Sequence, residues 1–215
     1  MVECDCTRPH ERKRIVLTGG PGAGKTAVLE LIRQHFCRHV DVLPEAASIL
    51  FGGGFRRGKS ATAQAAAQRA IFHVQRELEA AADADSEGAI VLCDRGTLDG
   101  LAYWPGPGNF LGAMGTTREA ELSRYHAVLH LRTPAPAHGY DHSNPVRIET
   151  SAEAAAIDAR VERAWAGHGR RVIIESQASF LEKAARALDV LRAEMPECCR
   201  SHVVPAVDRR AAVPH

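Results

Sequence analysis

The sequence is short of aromatic residues, of net charge and of long apolar runs. Aromatic residues make up 5% of the 215, and alanine-rich stretches are frequent, a balance typical of helices packed on a compact sheet. With a formal net charge of +1, the chain lacks the broad basic surface that extended nucleic-acid contacts require, so we expect no nucleic-acid partner. No segment approaches the ~20 apolar residues of a transmembrane helix, and the charged N-terminus does not resemble a signal peptide. We therefore expect a soluble, cytoplasmic protein without a transmembrane segment.

Cysteine is present, but not in a pattern that indicates disulfides. Six cysteines are too few and too unevenly spaced to staple a domain of this length, which can bury a substantial core. Cys37 and Cys93 fall in apolar parts of predicted elements, where a reduced cysteine usually packs as a small hydrophobe. The cysteines therefore do not indicate secretion.

The hydrophobic pattern predicts alternating strands and helices. Short apolar runs predict five strands at 14–18, 40–43, 89–93, 127–131 and 172–174. Helical spacing predicts helices at 25–36, 45–50, 60–84, 97–103, 117–125, 151–165 and 179–194. Continuous apolar strands are typical of a parallel sheet buried on both faces, so the pattern predicts an open α/β sheet covered by helices. On the helix at 60–84 the spacing assigns a core stripe to Ala67, Ile71, Val74 and Leu78.

A glycine loop follows the first predicted strand. The segment GGPGAGKT, at 19–26, matches the Walker A pattern G-x-x-x-x-G-K-[ST] between a strand and a helix. Glycines let successive backbone N–H groups surround phosphate oxygens at the positive end of the helix. Lys25 is expected to reach the β and γ phosphates, and Thr26 to hold Mg²⁺. The predicted nucleotide-binding residues are Gly19, Gly20, Pro21, Gly22, Ala23, Gly24, Lys25, Thr26 and Ala27.

Two absences narrow the class of P-loop protein. The sequence has no Asn-Lys pair, so the N-K-x-D motif by which GTPases read guanine is missing. The strand AIVLC is followed by Asp94, Arg95 and Gly96 rather than by two acids, so the acid that activates water in ring-forming ATPases is also missing. An Asp-Arg pair at this position is similar to that of nucleoside and nucleotide kinases.

The pair suits acceptor chemistry. Asp94 can accept a hydroxyl proton or bind Mg²⁺ through water, and the Arg95 guanidinium can hold acceptor oxygens. A structural ion pair at a strand end is the alternative. Glu45 after the second strand, Gln75 on the long helix and Tyr103 after the Asp-Arg pair are assigned with Arg95 to the acceptor. A helix-dipole role for Glu45 and a solvated role for Gln75 remain open.

A long insertion follows the fourth predicted strand. It carries Arg132 and Arg147, and the next helix carries Arg160 and Arg163 three residues apart. Such cations suit a lid, at about 132–165, that closes over the phosphates and stabilises charge on the transferring group. Solvated arginines paired with nearby acids are the alternative. We predict a single domain at 14–195 containing this lid, after an N-terminal extension at 1–13 and before an irregular tail at 196–215.

With these residues in view, the chain resembles the AAA-type P-loop family of ATPases and kinases that includes the nicotinamide riboside kinase domain of NadR-like proteins. The segments that carry the resemblance, within about 14–194, are IVLTGGPGAGKT, PEAA, Gln75, CDRGTLDGLAYW and NPVRIE. The resemblance implies a nucleoside-kinase-like, three-layer, doubly wound parallel sheet of five strands in the order 2-3-1-4-5, with ATP or GTP and Mg²⁺ as cofactors. Because the family includes a metabolic kinase and trafficking factors described as binding nucleotides and phosphoinositides, it does not fix the acceptor.

The leading hypothesis is an ATP- and Mg²⁺-dependent kinase acting on a small nucleoside-like molecule. The residues assigned to catalysis are Lys25, Asp94, Arg95, Arg147, Arg160 and Arg163, and those assigned to metal are Thr26 and Asp94. The alternative is a nucleotide-binding ATPase or GTPase-like regulator that engages a protein or phosphoinositide partner. A homodimer is an open option, because nothing in the sequence fixes the oligomeric state.

Two groups of metal-binding residues flank the predicted domain: Cys4, Cys6 and His10 before it, and Cys198, Cys199 and His202 after it. Both ends of a doubly wound sheet belong at the edge opposite the active site, so the groups can meet there. A Zn²⁺ site, a redox link and separate surface thiols are the alternatives, and the spacing matches no standard metal module.

Overall fold

The computed structural model describes residues 4–85, 87–106, 108–134, 150–176 and 179–200. Five parallel strands form one sheet in the order β2-β3-β1-β4-β5. The strands are β1 (Lys13–Thr18), β2 (Val40–Leu43), β3 (Ile90–Asp94), β4 (Ala127–Leu131) and β5 (Arg171–Ile174). This order confirms the predicted doubly wound α/β fold, and the predicted strand bounds are correct to within one residue.

Helices cover both faces of the sheet. They are α1 (Lys25–His35), α2 (Ala46–Gly52), α3 (Ala61–Asp85), α4 (Gly100–Tyr103), α5 (Phe110–Ala113), α6 (Arg118–Leu122), α7 (Ser151–Ala164), α8 (Phe180–Glu194) and α9 (Glu197–Arg200), with a 3-10 turn at Thr97–Asp99 before α4. One hydrophobic core lies between the sheet and helices α1 and α8, and the other lies beneath α3, α4 and α7. None of the helices in the described ranges is both long and apolar enough to cross a bilayer.

The central strands carry the core because they are apolar along their whole length. Ile15, Val16 and Leu17 of β1 are completely buried, and Ile90–Cys93 of β3 are as well. A side chain alternates between the two faces along a strand, so a continuous apolar run serves both cores at once. Leu17 pairs with Asp94 in the parallel register, which places the end of β3 beside the start of the phosphate loop.

Helix α3 buries a different face from the predicted one. Ile71, Val74 and Leu78 are half-buried, whereas Phe72 and Gln75 are buried, together with Glu79 and Ala82 further along. The predicted core stripe is therefore wrong at Ile71 and Val74, whereas Leu78 is half-buried and packs against the core. Polar Gln75 and Glu79 are stable inside because both form hydrogen bonds there.

Helix α7 belongs to the core, although it was assigned to a mobile lid. Ala154 and Val161 on α7 and Trp165 after it are completely buried against the sheet. The alanine-rich face of α7 permits this close packing. Residues 135–149, the remainder of the predicted lid with Arg147, lie outside the described residues.

Candidate functional site

The phosphate loop leaves β1 at the carboxyl edge of the sheet, and its shape depends on glycine. Gly19 has a φ of +136° and Gly24 a φ of +91°, both in the region that L side chains rarely adopt. A Cβ atom on Gly19 would lie 2.1 Å from the carbonyl oxygen of Leu131 at the end of β4. The loop is thus seated directly on the sheet, and α1 begins at Lys25 with Gly24 as its N-cap.

Three side chains from later in the sequence hold the loop from outside. The Gly20 N–H donates to Asp158 Oδ1 on α7 at 2.7 Å. Thr133 Oγ1 donates to the Pro21 carbonyl at 3.0 Å, and Lys183 Nζ on α8 donates to the Ala23 carbonyl at 2.8 Å. These contacts fix the loop backbone before any ligand binds, and none of the three side chains was assigned from the sequence.

Asp158 is itself anchored. His130 Nε2 on β4 lies 2.9 Å from Asp158 Oδ1, and Arg132 forms an ion pair with the carboxylate at 3.5 Å. Burial by itself would raise the pKa of Asp158, but the bond to His130 lowers this pKa below its usual range. Asp158 is therefore a carboxylate at neutral pH, which is the form that accepts the Gly20 N–H.

Lys25 is buried within the loop. Its Nζ donates to the carbonyl oxygens of Gly19 at 3.0 Å and Gly20 at 3.1 Å. Burial, with the nearby positive charge of Arg95, lowers the pKa of Lys25 to about 7. The ammonium group is thus only weakly stabilised, and an added negative charge would stabilise it strongly.

Arg95 is held in place from three directions. Its Nε donates to Glu45 Oε1 at 2.6 Å, and its Nη1 donates to Asp99 Oδ2 at 2.9 Å and to the Gly19 carbonyl at 3.2 Å. The guanidinium also lies over the Tyr103 ring, 5.6 Å from its centroid. Its backbone φ of +71° is left-handed, which is uncommon for a residue with a side chain. The side chain therefore has a fixed position at the loop, with 16% of it exposed.

Asp99 orients Arg95 and was missed by the sequence analysis. It accepts hydrogen bonds from Thr18 Oγ1 at 2.7 Å and from Trp165 Nε1 at 2.6 Å, in addition to the bond from Arg95. Asp99 follows Arg95 by four residues, but Arg95 precedes the predicted helix at 97–103 and has a left-handed φ, so helical i, i+4 spacing gave no signal for this contact. The contacts with Thr18 and Trp165 could not have been inferred from spacing either.

Asp94 differs from its neighbours in having an unpaired oxygen. Its Oδ1 is buried and has no hydrogen-bond partner among the described residues. Burial raises the pKa of Asp94 to about 6, and the carboxylate of Glu45 adds to this shift. Lys25 and Arg95 act in the opposite direction on the Asp94 pKa. A buried carboxylate oxygen without a partner is unfavourable in a purely structural role.

A cavity of about 300 Å³ opens beside these residues. Its wall is formed by α2, α3 and the segment that follows β3, and Pro21 of the phosphate loop borders it. Glu45, Gln75, Arg95 and Tyr103, the residues assigned to the acceptor, all line it. Apolar side chains complete the wall, among them Phe51, Ile71, Phe72 and Phe110. The cavity thus combines apolar surface with a few fixed polar groups.

Glu45 and Gln75 have partners of their own at the cavity wall. Glu45 accepts from Ser48 Oγ at 2.5 Å as well as from Arg95, and it forms no side-chain cap on α2. Burial would raise the pKa of Glu45, but the charge of Arg95 lowers it overall. Gln75 is buried, with its Nε2 donating to Glu79 at 2.9 Å, so the solvated alternative for Gln75 is wrong.

The arginines assigned to the lid do not converge on the loop. Arg160 Nε donates to the Ala102 carbonyl on α4 at 2.8 Å, and the side chain of Arg163 is exposed. Arg132 forms a two-pronged bond with Glu162 at 2.6 and 2.9 Å. Thr26 follows Lys25 in the first turn of α1 and is exposed.

Comparisons with known proteins agree with this fold. A family model described as an AAA domain matches residues 14–183. No curated protein sequence matches the chain. Among solved structures, a NadR protein in complex with NAD and AMP-PNP aligns with a TM-score of 0.60 and 14% identity, over 85% of this chain and 49% of that one. The thymidylate kinase of Candida albicans aligns with a TM-score of 0.52 and 13% identity, over 85% of this chain and 92% of that one.

The chain therefore spans about half the length of the NadR protein and nearly all of the thymidylate kinase. At these identities the likeness shows the fold, which is that of the P-loop kinases.

Proposed function

The chain belongs to the AAA domain family, and we propose that it is a cytoplasmic kinase that transfers the γ-phosphoryl group of ATP to an oxygen of a nucleoside-like acceptor. The observation that carries the proposal is the position of Asp94 and Arg95. Arg95 lines the cavity of about 300 Å³ and donates to the Gly19 carbonyl of the phosphate loop, and Asp94 precedes it at the end of β3, close enough to Lys25 for their charges to interact. A site for phosphates, a site for an acceptor and a candidate base are thus adjacent.

In this proposal, residues 19–27 bind the nucleotide phosphates through backbone N–H groups and the start of α1. Lys25 exchanges its bonds to the loop carbonyls for phosphate oxygens. The acceptor oxygen attacks the γ phosphorus, the bond to the bridging oxygen breaks, and ADP leaves. Asp94 takes the proton of an acceptor hydroxyl, which suits a carboxylate with a pKa of about 6 better than one with an ordinary pKa.

The donor set also fits Mg²⁺. Thr26 offers an exposed hydroxyl and Asp94 a carboxylate oxygen without a partner, and hard oxygen ligands are the ones that Mg²⁺ prefers. When bound, Mg²⁺ would neutralise negative charge on the transferring phosphoryl group. Asp94 can serve either the metal or the acceptor, and both roles need its unprotonated form.

The nature of the cavity supports a nucleoside-like acceptor. Aromatic and aliphatic walls suit a flat heterocycle, and Glu45 and Arg95 supply polar groups near the phosphate loop. Arg95 is pre-oriented by Glu45 and Asp99, so little side-chain entropy is lost when it binds an acceptor oxygen. One of the two solved structures is a NadR protein in complex with NAD and AMP-PNP and the other is a thymidylate kinase, which is consistent with the acceptor class.

The test is acceptor-stimulated release of ADP from ATP across a panel of nucleosides and nucleoside monophosphates. We expect at least one acceptor to raise ADP release, with the phosphorylated product detected by mass spectrometry. Asp94→Asn should keep ATP affinity but lose roughly a hundredfold or more of the transfer rate. Lys25→Ala should lose transfer altogether, and Asp85→Asn, an exposed aspartate at the end of α3, should transfer like the wild type.

Equal transfer rates in the wild type and Asp94→Asn would remove Asp94 from the mechanism. ATP or GTP binding with slow hydrolysis and no acceptor effect across the panel would contradict the kinase proposal and favour a nucleotide-dependent regulator instead.

A further inference from the structure

Sulfur and imidazole side chains collect at the amino edge of the sheet, opposite the phosphate loop. The inner set consists of Cys4, Cys37, His39 and Cys199, and the outer set consists of Cys6, His10 and Cys198. In each set the ligand atoms all lie within 4.8 Å of one another. Five of the six cysteines of the chain therefore meet in one place, and Cys93 is the exception.

The fold brings these residues together from three parts of the sequence. Cys4 precedes β1, Cys37 and His39 lie between α1 and β2, and Cys199 lies on α9 after the last long helix. Cys4 and Cys199 are 195 residues apart in sequence, and their sulfurs are 3.6 Å apart. Strands β1 and β2 begin at this edge, and α1 and α8 end there, so the parallel topology produces the convergence. The nucleotide site lies at the other end of the same strands.

Two of the distances in the inner set are close to those of a tetrahedral site. Zinc bonds of about 2.3 Å to sulfur and about 2.0 Å to nitrogen place two sulfurs about 3.8 Å apart and sulfur and nitrogen about 3.5 Å apart. Cys4 and Cys199 are 3.6 Å apart, and Cys37 Sγ lies 3.5 Å from His39 Nδ1. Cys199 Sγ is closer to His39 Nδ1, at 3.1 Å.

Burial and chemistry agree with a closed structural site. Cys37, His39 and Cys199 are buried, and Cys4 is half-buried. All the cysteines are free thiols in this structure, so no disulfide accounts for their proximity. Three thiolates and one imidazole form a set that zinc occupies in structural sites, where four protein ligands exclude water.

We propose that Cys4, Cys37, Cys199 and His39 Nδ1 bind one structural Zn²⁺ ion that fastens the N-terminal segment to α9. The outer set adjoins the inner one, because Cys198 Sγ is 3.5 Å from Cys199 Sγ and 3.5 Å from His10 Nε2. The outer set offers only three protein ligands, so a second ion bound by it would need a fourth ligand from solvent. Zinc binding at the inner site does not require this second ion.

The surroundings suit the charge of such a site. Three thiolates and one Zn²⁺ ion sum to a single negative charge, and an adjoining cavity is lined by Arg8, Arg12 and Arg38. Arg38 Nη2 also donates to the Cys6 carbonyl at 2.7 Å, which holds the N-terminal segment over the cluster. The cavity also gives solvent, and so a metal ion, access to the outer side of the cluster.

The first test is the zinc content of the full chain purified without chelator and measured by elemental analysis. We expect one or two zinc ions per chain in the wild type and in Cys93→Ala, the matched control for removal of a cysteine. Cys4→Ser, which alters the half-buried ligand, should lose zinc to a chelator at least tenfold faster than the control. The proposal would be overturned if the wild-type chain contained no zinc, or if Cys4→Ser lost zinc to the chelator no faster than Cys93→Ala.

The second test does not depend on any variant folding. Zinc removed from the wild type by a chelator should be replaceable by Co²⁺, giving the absorption bands of tetrahedral cobalt with thiolate ligands. Metal removal should lower the melting temperature while ATP affinity of the folded protein stays unchanged, since the two sites lie at opposite edges. Octahedral cobalt spectra, or oxidised thiols without bound metal in a thiol titration, would contradict the site.

Discussion

Two groups of buried charges flank strand β3, and they differ in how completely they are paired. Between α3 and α6, Glu79 is fully buried and accepts from Gln75 at 2.9 Å and from the Tyr125 hydroxyl at 2.7 Å. Its other oxygen forms an ion pair with Arg124 and a second one with Arg14 at 3.5 Å. At the carboxyl end of β3, by contrast, Asp94 keeps a buried oxygen that accepts no hydrogen bond from the described residues.

The neighbouring Glu121 follows the first pattern. It is fully buried and accepts from Thr97 Oγ1 at 2.7 Å, from Thr116 Oγ1 at 2.9 Å and from Arg76 at 2.9 Å. A buried carboxylate with all its partners in place stabilises one arrangement of the helices. A buried carboxylate without hydrogen-bond partners lowers the stability of the fold, and such an unfavourable group is typical of a residue that serves a ligand. Under the proposed function, the difference between Glu79 and Asp94 distinguishes a structural charge from one that serves a ligand.

The largest expected effect is on the structural side. Glu79→Ala leaves Arg124, Arg14 and the Tyr125 hydroxyl without their buried partner, so the free energy of unfolding should fall by about 3–5 kcal/mol. Urea denaturation followed by circular dichroism measures it. Glu77→Ala, on the exposed face of the same helix, is the control and should change this free energy by no more than about 0.5 kcal/mol. If Glu79→Ala lowered the free energy of unfolding no more than Glu77→Ala, the bonds of Glu79 would not be what holds α3 to α6.

An intermediate effect, on both stability and ATP affinity, is expected at the contact between α7 and the phosphate loop. Asp158→Ala leaves the Gly20 N–H without its acceptor, so the free energy of unfolding should fall by about 1–3 kcal/mol. ATP affinity should fall roughly tenfold, because the loop loses its fixed shape. Calorimetric titration with ATP measures this second effect.

Asp158→Asn is the matched variant, since its amide oxygen can still accept the Gly20 N–H, and its losses should be smaller. An ATP affinity that rises in Asp158→Ala would show that the carboxylate competes with phosphate instead of holding the loop.

The smallest expected effect concerns protons at Lys25. Its pKa is lowered to about 7, and bound phosphates would raise it, so ATP binding should take up a proton above pH 7. ATP affinity should therefore decrease as the pH rises from 7.5 to 8.5, by less than about tenfold. Calorimetry in buffers of different ionisation enthalpy measures the proton uptake directly.

Lys25→Arg keeps a charged group over this range and should show no such pH dependence, even if its affinity is lower. An affinity of the wild type that stays constant from pH 7.5 to 8.5 would contradict the lowered pKa of Lys25.

The parts of the fold that could be predicted are those encoded locally. The phosphate loop, the strand bounds and the position of Asp94 and Arg95 follow from motif spacing and apolar runs, because the residues concerned are neighbours in sequence. The buried face of α3 could not be predicted, since Glu79 is stable inside only through Arg14, Arg124 and Tyr125, which come from other elements.

The same reasoning applies to the site and to the cluster at the other edge. Asp158 and Lys183 contact the loop only once α7 and α8 are packed. Cys37 was interpreted as a small core residue, and its contact with His39 and Cys199 depends on β2 and α9 reaching the same edge. Pattern analysis detected the two terminal groups of cysteines but had no means of adding the middle pair.

The left-handed backbone of Arg95 has a consequence for laboratory evolution. A φ of +71° costs a residue with a side chain about 1–2 kcal/mol, a cost that glycine does not bear. Glycine at position 95 would avoid this cost but would also remove the bonds to Glu45, Asp99 and the Gly19 carbonyl, and a buried acid that loses its partner costs more, about 3–5 kcal/mol. Directed evolution that rewards only heat resistance should therefore keep Arg95, and a sequence census of the survivors would report position 95 as fixed whether or not the guanidinium binds an acceptor.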